Sequence, residues 1–253
     1  MIPIHNPAPR RHLQALCGAC LASIPWITHP LCRICGRAEA CEDCARRTIR
    51  HYAACRCAVR YDDAMKEWLA RYKYRGHERL APILAAILAS ALERLEELLL
   101  SEAPAKRVQC TNSTQRTIRT SLNSAPLFQA ITSVPLSLER HRERGFNQAE
   151  SLALHLSEWY GIPYRPMLRR VRHTEKQSLK SRRSRVTDMR GIFESEETHG
   201  ALVSPLPQLR CNILLVDDVY TTGSTVNECA RILQQSHTDA RNVRIFGLTW
   251  ARS

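Results

Sequence analysis

The segment from residue 211 to residue 250 constrains the fold more than any other part of the sequence. It holds an apolar run, CNILLVDDV, a hydroxyl-rich turn, TTGST, a helical stretch, VNECARILQQ, and a second apolar run, VRIFGLTW. Two runs of strand length joined by one helix predict a βαβ unit, whose two strands must be parallel. We therefore expect an α/β domain built on a parallel sheet.

Two acids and a turn between the first run and the helix are the most informative residues for function. Asp217 and Asp218 end the strand, and the turn consists of Thr221, Thr222, Gly223, Ser224 and Thr225. Free backbone N–H groups, four hydroxyls and the positive end of the helix dipole suit a phosphate monoester. Carboxylates suit ribose hydroxyls or a hydrated Mg²⁺. The pattern predicts a site for phosphorylated ribose, although a simple helix N-cap beside two acids would have the same sequence.

Other elements follow from periodicity. Met65, Trp68, Leu69 and Tyr72 recur at helical spacing, and residues 82–100 predict a second helix. AITSVPL predicts a short strand, after which a helix is expected to begin near Asn147, where Asn-Gln-Ala-Glu resembles a capping box. Residues 101–126 are polar and lack periodicity, which predicts a loop or mobile insertion.

The cysteines are concentrated near the amino terminus. Eight of the eleven lie between residues 17 and 57, and they include three CxxC pairs and one CxC. Two CxxC turns can complete a closed, structural four-thiolate zinc site, and the alternative is a set of buried free thiols. The first choice of ligands is Cys32, Cys35, Cys41 and Cys44. In the second, Cys17 and Cys20 combine with one of the later pairs.

Several classes of protein are excluded by residue spacing. No two glycines lie closer than nine residues apart, so the dinucleotide-binding, Walker A and nucleophile-elbow motifs are absent. Histidines never recur at i, i+4, which excludes an HExxH metal helix. The most strongly apolar uncharged run, 81–92, is too short to span a bilayer. No clear signal for export is present, so we expect a cytoplasmic protein.

Positive charge is the remaining signal. The net charge is +13, and residues 165–190 hold ten Lys or Arg against two acids. Such a run favours a polyanionic ligand or a nucleic acid backbone, although a solvated basic face has the same composition. Arg182, Arg183 and Arg185 are the candidate nucleic-acid contacts, and Lys176 and Lys180 are candidate pyrophosphate contacts.

VDDVYTTGST resembles the ribose-phosphate signature of type I phosphoribosyltransferases. VPLSLERHRERGFNQAESLA, the CxxC pairs, MKEWLARYKYRG and RRVRHTEKQSLKSRRSR together resemble the ComF family of competence proteins, including its ComFC and GntX-like members. The resemblance covers about residues 17–90 and 131–250. Many members carry another CxxC before the pair formed here by Cys17 and Cys20, and its absence leaves that pair without its usual partner.

The resemblance implies a type I phosphoribosyltransferase-like parallel sheet with flanking helices in residues 58–253. A small Cys-rich, zinc-ribbon-like finger in residues 1–57 would precede it. The acids would contact the ribose of phosphoribosyl pyrophosphate, and the 221–225 turn its 5′-phosphate. The pyrophosphate would bind at 134–136 and at the nearby Arg144, Gly145, Asn147 and Gln148, while 173–185 would form a loop that closes over the substrate.

Two functional hypotheses follow. In the first, the protein transfers a phosphoribosyl group, with Mg²⁺, to an unknown acceptor and acts in DNA uptake during natural transformation. In the second, it is a single-stranded-DNA-binding import factor whose site has no turnover, with a competence helicase or DNA-uptake channel as partner. Candidate base-stacking aromatics are Tyr72, Tyr74, Phe146 and Tyr164.

Overall fold

A computed structural model describes residues 2–74, 78–102, 126–171, 191–196, 211–236 and 242–253. The strands are β1 (Ala54–Arg60), β2 (Ala130–Ser133), β3 (Leu168–Arg170), β4 (Phe193–Ser195), β5 (Cys211–Tyr220) and β6 (Val243–Arg252). The helices are α1 (Pro7–Gln14), α2 (Gly18–Ala22), α3 (Glu42–Arg46), α4 (Asp63–Tyr74), α5 (Ala81–Glu102), α6 (Leu138–Arg144), α7 (Gln148–Tyr160) and α8 (Ser224–Gln235). A short 3₁₀ turn (Glu78–Leu80) precedes α5.

The main sheet has four strands in the order β1-β6-β5-β2, and every neighbouring pair is parallel. The predicted βαβ unit is β5-α8-β6, so the α/β fold and the parallel sheet are confirmed. β3 and β4 form a separate antiparallel pair. Ser133 at the end of β2 is level with Val216 in β5, which brings the carboxyl ends of these two strands to one edge.

Both faces of the sheet are covered, which explains the continuous apolar runs in β5 and β6. Leu214 and Val216 pack on one face in a core shared with α1, α5 and α7. Ile213 and Leu215 point to the opposite face, where their neighbours include α8 and several cysteines. Consecutive residues of one strand therefore serve two different cores, as the alternation of side chains along a strand requires.

α5 is buried along most of its length because it lies against β1, β6, α1 and α7. This burial accounts for its apolar composition. None of the helices in the described part of the chain combines the length and the apolar character needed to cross a membrane. The helices predicted from Met65 to Tyr72 and over 82–100 are both present, as α4 and α5.

The Cys-rich segment is joined to the rest of the molecule by a shared core. Ile4, Leu13 and Ile24 are buried together with the residues that cover the first face of the sheet. Buried Glu93 of α5 accepts hydrogen bonds from the backbone N–H groups of residues 5 and 6, at 2.7 and 3.0 Å. Residue 57 lies inside β1, so the predicted limit between the two domains falls within a strand of the main sheet.

Two predicted segments lie largely outside the described residues. The polar insertion, 101–126, begins in the last turn of α5, and its residues 103–125 are not described. The basic segment is described only through residue 171, so Lys176, Lys180, Arg182, Arg183 and Arg185 lie outside the described residues.

Candidate functional site

A cavity of about 210 Å³ opens at the carboxyl edge of β2 and β5. Residues 134–136 after β2 form one side, and Asp217 and Asp218 of β5, here called the acid pair, form another. The other residues around it are Arg140, Arg144, Asn147, Gln148, Ala149, Arg170, Phe193, Val219, Thr221 and Thr225. The edge of a parallel sheet beyond its carboxyl ends is where α/β proteins bind their ligands.

The two carboxyls of the acid pair have different environments. Lys73 of α4 forms an ion pair with Asp218, and the two side chains are 15% and 24% exposed. Burial alone would raise the pKa of Asp218, but the Lys73 ammonium outweighs it and lowers that pKa. Burial and the neighbouring charge of Asp218 raise the pKa of Asp217 to about 7. One carboxyl is therefore held ionised, while the other is poised to exchange a proton near neutral pH.

Residues 221–225, here called the hydroxyl turn, lead from β5 into α8. Gly223 has φ +75°, in the left-handed region, and a Cβ there would collide with the ring of Tyr220. The hydroxyls of Thr222 and Ser224 hydrogen-bond each other at 2.8 Å. Gly223 is also the N-cap residue of α8, and it has no side chain with which to cap the helix. The free N–H groups at the start of α8, together with the helix dipole, can therefore bind an anion.

Three of the residues that line the cavity are arginines, which supply positive charge. Arg144, in the last turn of α6, donates to Gln148 Oε1 at 2.8 Å and to the Tyr74 hydroxyl at 2.9 Å. Burial and the nearby Arg140 charge lower the pKa of Arg170. Several arginines around one cavity suit a ligand that carries several negative charges.

The residues of the RGFNQ sequence form the junction between α6 and α7. Gly145 ends α6 with φ +81°, and Asn147 caps α7 by accepting the Ala149 N–H at 3.1 Å. The same Asn147 donates from Nδ2 to the Val134 carbonyl at 3.1 Å, which ties the 134–136 loop to α7. The predicted helix start is therefore confirmed. The capping box is incomplete because Glu150 instead accepts a hydrogen bond from the Tyr164 hydroxyl, at 3.2 Å.

The structure assembles most of the predicted site residues at this cavity. The acid pair, Arg144, Asn147, Gln148, Thr221 and Thr225 line it, while Gly145, Thr222, Gly223 and Ser224 shape the neighbouring turns. Sequence reasoning missed Lys73, whose only signal was its place in MKEWLARYKYRG, and Phe193. From the sequence, Arg140 and Arg170 were expected only as part of the positive charge around the site, without a role of their own. Among the candidate stacking aromatics, Tyr72 is fully buried against Phe146, whereas Tyr74 is 62% exposed.

A second site lies in the Cys-rich segment. The sulfurs of Cys32, Cys35, Cys41 and Cys44, here called the cysteine cluster, all lie within 4.8 Å of one another. Four thiolates at the usual zinc–sulfur distance would be about 3.8 Å apart in a tetrahedron, so small adjustments suffice. The cluster can hold a metal such as zinc. Cys17 and Cys20 are not part of it; the Cys20 N–H donates to the Cys17 sulfur at 3.4 Å.

The local fold explains how the cysteine cluster forms. Gly36 adopts φ +72° directly after Cys35, where a Cβ would lie 2.9 Å from the Cys55 carbonyl oxygen. Cys41 precedes α3, which carries Cys44 within its first turns. Burial raises the pKa of the Cys35 thiol to about 11, so binding of a metal ion must displace protons from the cluster.

Comparison with known proteins reveals several relatives that align over most of the chain. Competence protein ComFC of Bacillus subtilis is 29% identical over 229 residues, which are 87% of this chain and 78% of that protein. Competence protein ComFC of Streptococcus pneumoniae is 27% identical over 240 residues, 93% of this chain and 87% of that protein. DNA utilization protein YhgH of Escherichia coli K12 is 29% identical over 244 residues, 91% and 96% of the two chains.

These relatives support the assignment of the chain to the ComF family. No protein-family model matches the chain. The similarity to these relatives extends over most of the chain, and it is not confined to the acid pair and the hydroxyl turn.

Proposed function

We propose that this ComF-family protein binds phosphoribosyl pyrophosphate in the cavity at the carboxyl edge of the sheet. One observation carries the proposal. The acid pair and the two ends of the hydroxyl turn belong to one stretch of the chain, the 134–136 loop belongs to a distant one, and both stretches line the same cavity. A simple N-cap beside two acids requires no such convergence. A ligand with a hydroxyl-rich sugar between two phosphate groups matches it.

Each part of the donor has a partner in this arrangement. The acid pair accepts hydrogen bonds from the ribose hydroxyls, and the hydroxyl turn with the start of α8 binds the 5′-phosphate. The pyrophosphate lies by residues 134–136, where Arg140 and Arg144 offset its charge. Asp218 is already paired with Lys73, so Asp217 is the carboxylate suited to hold Mg²⁺ or its bound waters.

The chemistry that this site supports is phosphoribosyl transfer to an acceptor. The bond between the anomeric carbon and pyrophosphate breaks, a bond from that carbon to the acceptor forms, and pyrophosphate leaves with both bonding electrons. Arginines near the departing group stabilise the charge that develops on it. The proposal of donor binding is independent of the proposal of turnover.

We also propose that the protein handles single-stranded DNA during natural transformation. The names of its relatives, competence protein and DNA utilization protein, support this role. The net charge of +13 supports it as well, because neutralisation of phosphates supplies most of the affinity of such binding. Exposed Tyr74 beside Arg144 provides a surface on which a base can stack. A competence helicase or uptake channel would then deliver or receive the strand.

Calorimetric titration with phosphoribosyl pyrophosphate, with and without Mg²⁺, tests the first proposal. The double variant Asp217→Asn and Asp218→Asn should bind the donor at least about tenfold more weakly, since it loses two carboxylate acceptors. The matched control is Asp63→Asn, which removes an exposed carboxylate that is paired with Lys66. Absence of donor binding by the wild-type protein would remove the proposal.

Fluorescence anisotropy on a labelled single strand tests the second. Replacing Arg182, Arg183 and Arg185 with Ala should weaken binding and flatten the slope of log K against log salt by about 0.7 per lost phosphate contact. The control replaces Arg46 and Arg71, exposed arginines that pair with nearby glutamates. If the triple variant bound DNA as tightly as wild type at every salt concentration, the basic segment would have no part in DNA binding.

A further inference from the structure

The far side of the hydroxyl turn is held by side chains of the Cys-rich segment. Arg47 follows Cys44 by three residues, and its guanidinium donates to the carbonyl oxygens of Thr222 and of Gly223, the latter at 3.5 Å. His51 donates its backbone N–H to Asn227 Oδ1, in the first turns of α8, at 2.9 Å. The turn therefore contacts the segment that carries the cysteine cluster.

Arg252, at the end of β6, makes a second connection. Its Nη1 atom donates to the carbonyl oxygens of Tyr220 and Thr221, at 3.1 and 2.9 Å. Its side chain is 2% exposed, and Nη2 lies 3.9 Å from a carboxylate oxygen of Asp43, which sits between Cys41 and Cys44. One buried guanidinium thus reaches both the start of the hydroxyl turn and the loop of the cysteine cluster.

The charge of Arg252 also matches the cluster. Its Nε and Nη2 atoms are buried and have no hydrogen-bond partner among the described residues. A four-thiolate site around a divalent ion has a net charge of about −2, which a buried cation offsets. Groups that hydrogen-bond to metal ligands also orient them. Arg252 can therefore offset the negative charge of a metal-bound cysteine cluster while it donates to the carbonyl oxygens of the turn.

Two tyrosines form a third connection beneath the turn. The hydroxyls of Tyr52 and Tyr220 hydrogen-bond each other at 2.7 Å, and both residues are 2% exposed. The Tyr220 ring occupies the space that a side chain at Gly223 would need. Tyr52, in the Cys-rich segment, therefore holds Tyr220 in place, and the ring of Tyr220 packs against Gly223 of the turn.

We propose that Arg47 and Arg252 are positioning residues that couple the cysteine cluster to the hydroxyl turn. A guanidinium that binds a carbonyl oxygen fixes the plane of that peptide bond. It thereby also fixes the direction of the N–H group in the same peptide bond, which belongs to the next residue. Loosening of the cluster releases both arginines and lets the turn sample conformations that do not bind phosphate. The inference deepens the proposed function and rests on it, because it concerns how the donor's 5′-phosphate is held.

The coupling changes what removal of the metal should do. A structural metal in a finger without contacts to the turn would leave the βαβ unit untouched when it is removed. With these contacts, loss of the metal should leave the β5-β6 pairing intact but loosen residues 221–225 between β5 and α8.

The test compares Arg47→Met with Arg46→Met by hydrogen exchange in the absence of any ligand. Arg46 is 80% exposed and pairs with Glu42, so its replacement controls for the loss of one positive charge at α3. Arg47→Met should keep a full complement of zinc by elemental analysis, yet the amides of 221–225 should exchange at least about tenfold faster, as expected for a local opening that is easier by about 1.4 kcal/mol. Arg46→Met should match wild type in both measurements.

Chelation of the metal from wild-type protein is the second arm and requires no variant to fold. It should accelerate exchange at 221–225 as well as around the cysteines, while β5 and β6 stay protected. Unchanged exchange at 221–225 in both arms would overturn the coupling.

Titration of Arg47→Met with phosphoribosyl pyrophosphate should show about tenfold weaker binding than Arg46→Met, by the same free-energy difference. If wild-type protein bound no donor but the exchange results held, the proposed function would fail and the coupling would stand.

Discussion

Replacement of Lys73 by Met tests how the acid pair is kept inside the protein. The ammonium of Lys73 is paired with Asp218, and both side chains are largely buried, at 15% and 24% exposure. Met has a similar length and shape but no charge. The variant therefore leaves a carboxylate at the cavity edge without its counter-ion, next to a second carboxyl on Asp217.

The expected loss of stability lies between two limits. Exposed ion pairs contribute about 0–1 kcal/mol, whereas removing one partner of a fully buried pair costs about 3–5 kcal/mol. The Lys73–Asp218 pair is closer to the buried limit, so we expect the free energy of unfolding to fall by about 2 kcal/mol at neutral pH. The cost stays below the buried limit because the carboxyl can take up a proton.

The pH dependence distinguishes this cause from a general packing defect. Lys73 lowers the pKa of Asp218, so its stabilising effect is present above the ordinary pKa of 3.8 and is lost as the pH falls through the lower, folded-state value. In Lys73→Met the acid pair binds protons more readily. The difference from wild type should therefore be largest at about pH 8 and should shrink as the pH falls toward about 4.

Urea unfolding followed by circular dichroism at several pH values measures this difference. Lys66→Met is the matched control, because Lys66 lies on the same helix and pairs with an exposed carboxylate, Asp63. It should lose little stability at any pH. The reasoning is refuted if Lys73→Met loses no more stability than Lys66→Met, or if its loss is the same at every pH.

Three further predictions concern the acid pair, the metal and the turn. Because burial raises the pKa of Asp217 from its ordinary 3.8 to about 7, the folded state loses stability as the pH rises between these two values. The thermal stability of Asp217→Asn relative to wild type should therefore increase from about pH 5 to about pH 8, and a constant difference would contradict the raised pKa. Cys41→Ser should lose zinc by elemental analysis, whereas Cys17→Ser should retain it. Gly223→Ala should lower the urea midpoint more than Gly145→Ala, since both glycines have positive φ but only the first is crowded, by the tyrosine ring beneath it.

The parts of the fold that depend on local sequence could be predicted. CNILLVDDV and VRIFGLTW have the length and continuous apolar character of strands buried on both faces, and the helix between them fixes their parallel direction. Asn147 marks the start of α7 because its short side chain can accept a backbone N–H two residues later. The spacing of Cys32, Cys35, Cys41 and Cys44 places their sulfurs together through tight turns alone.

Parts of the candidate site that depend on distant residues could not be predicted. Lys73 and Asp218 are far apart in the sequence, and nothing near Lys73 distinguishes it from the solvent-exposed lysine of the same helix, Lys66. The sequence of β1 indicates only a cysteine pair because Arg56 interrupts its apolar pattern, although β1 forms an edge of the main sheet beside β6.

The sequence by itself therefore determined the βαβ unit and the acid pair with its hydroxyl turn, and it favoured the cysteine cluster over the alternative with Cys17 and Cys20, because each of these depends on a pattern within one continuous stretch of sequence. Only the tertiary structure decided that Lys73 neutralises one acid and that Arg47 and Arg252 hold the far side of the turn. The physical reason is that an ion pair or a guanidinium–carbonyl contact depends on which elements pack together. That packing is set by the whole core, and the type of an apolar residue does not indicate which other residues it will contact there.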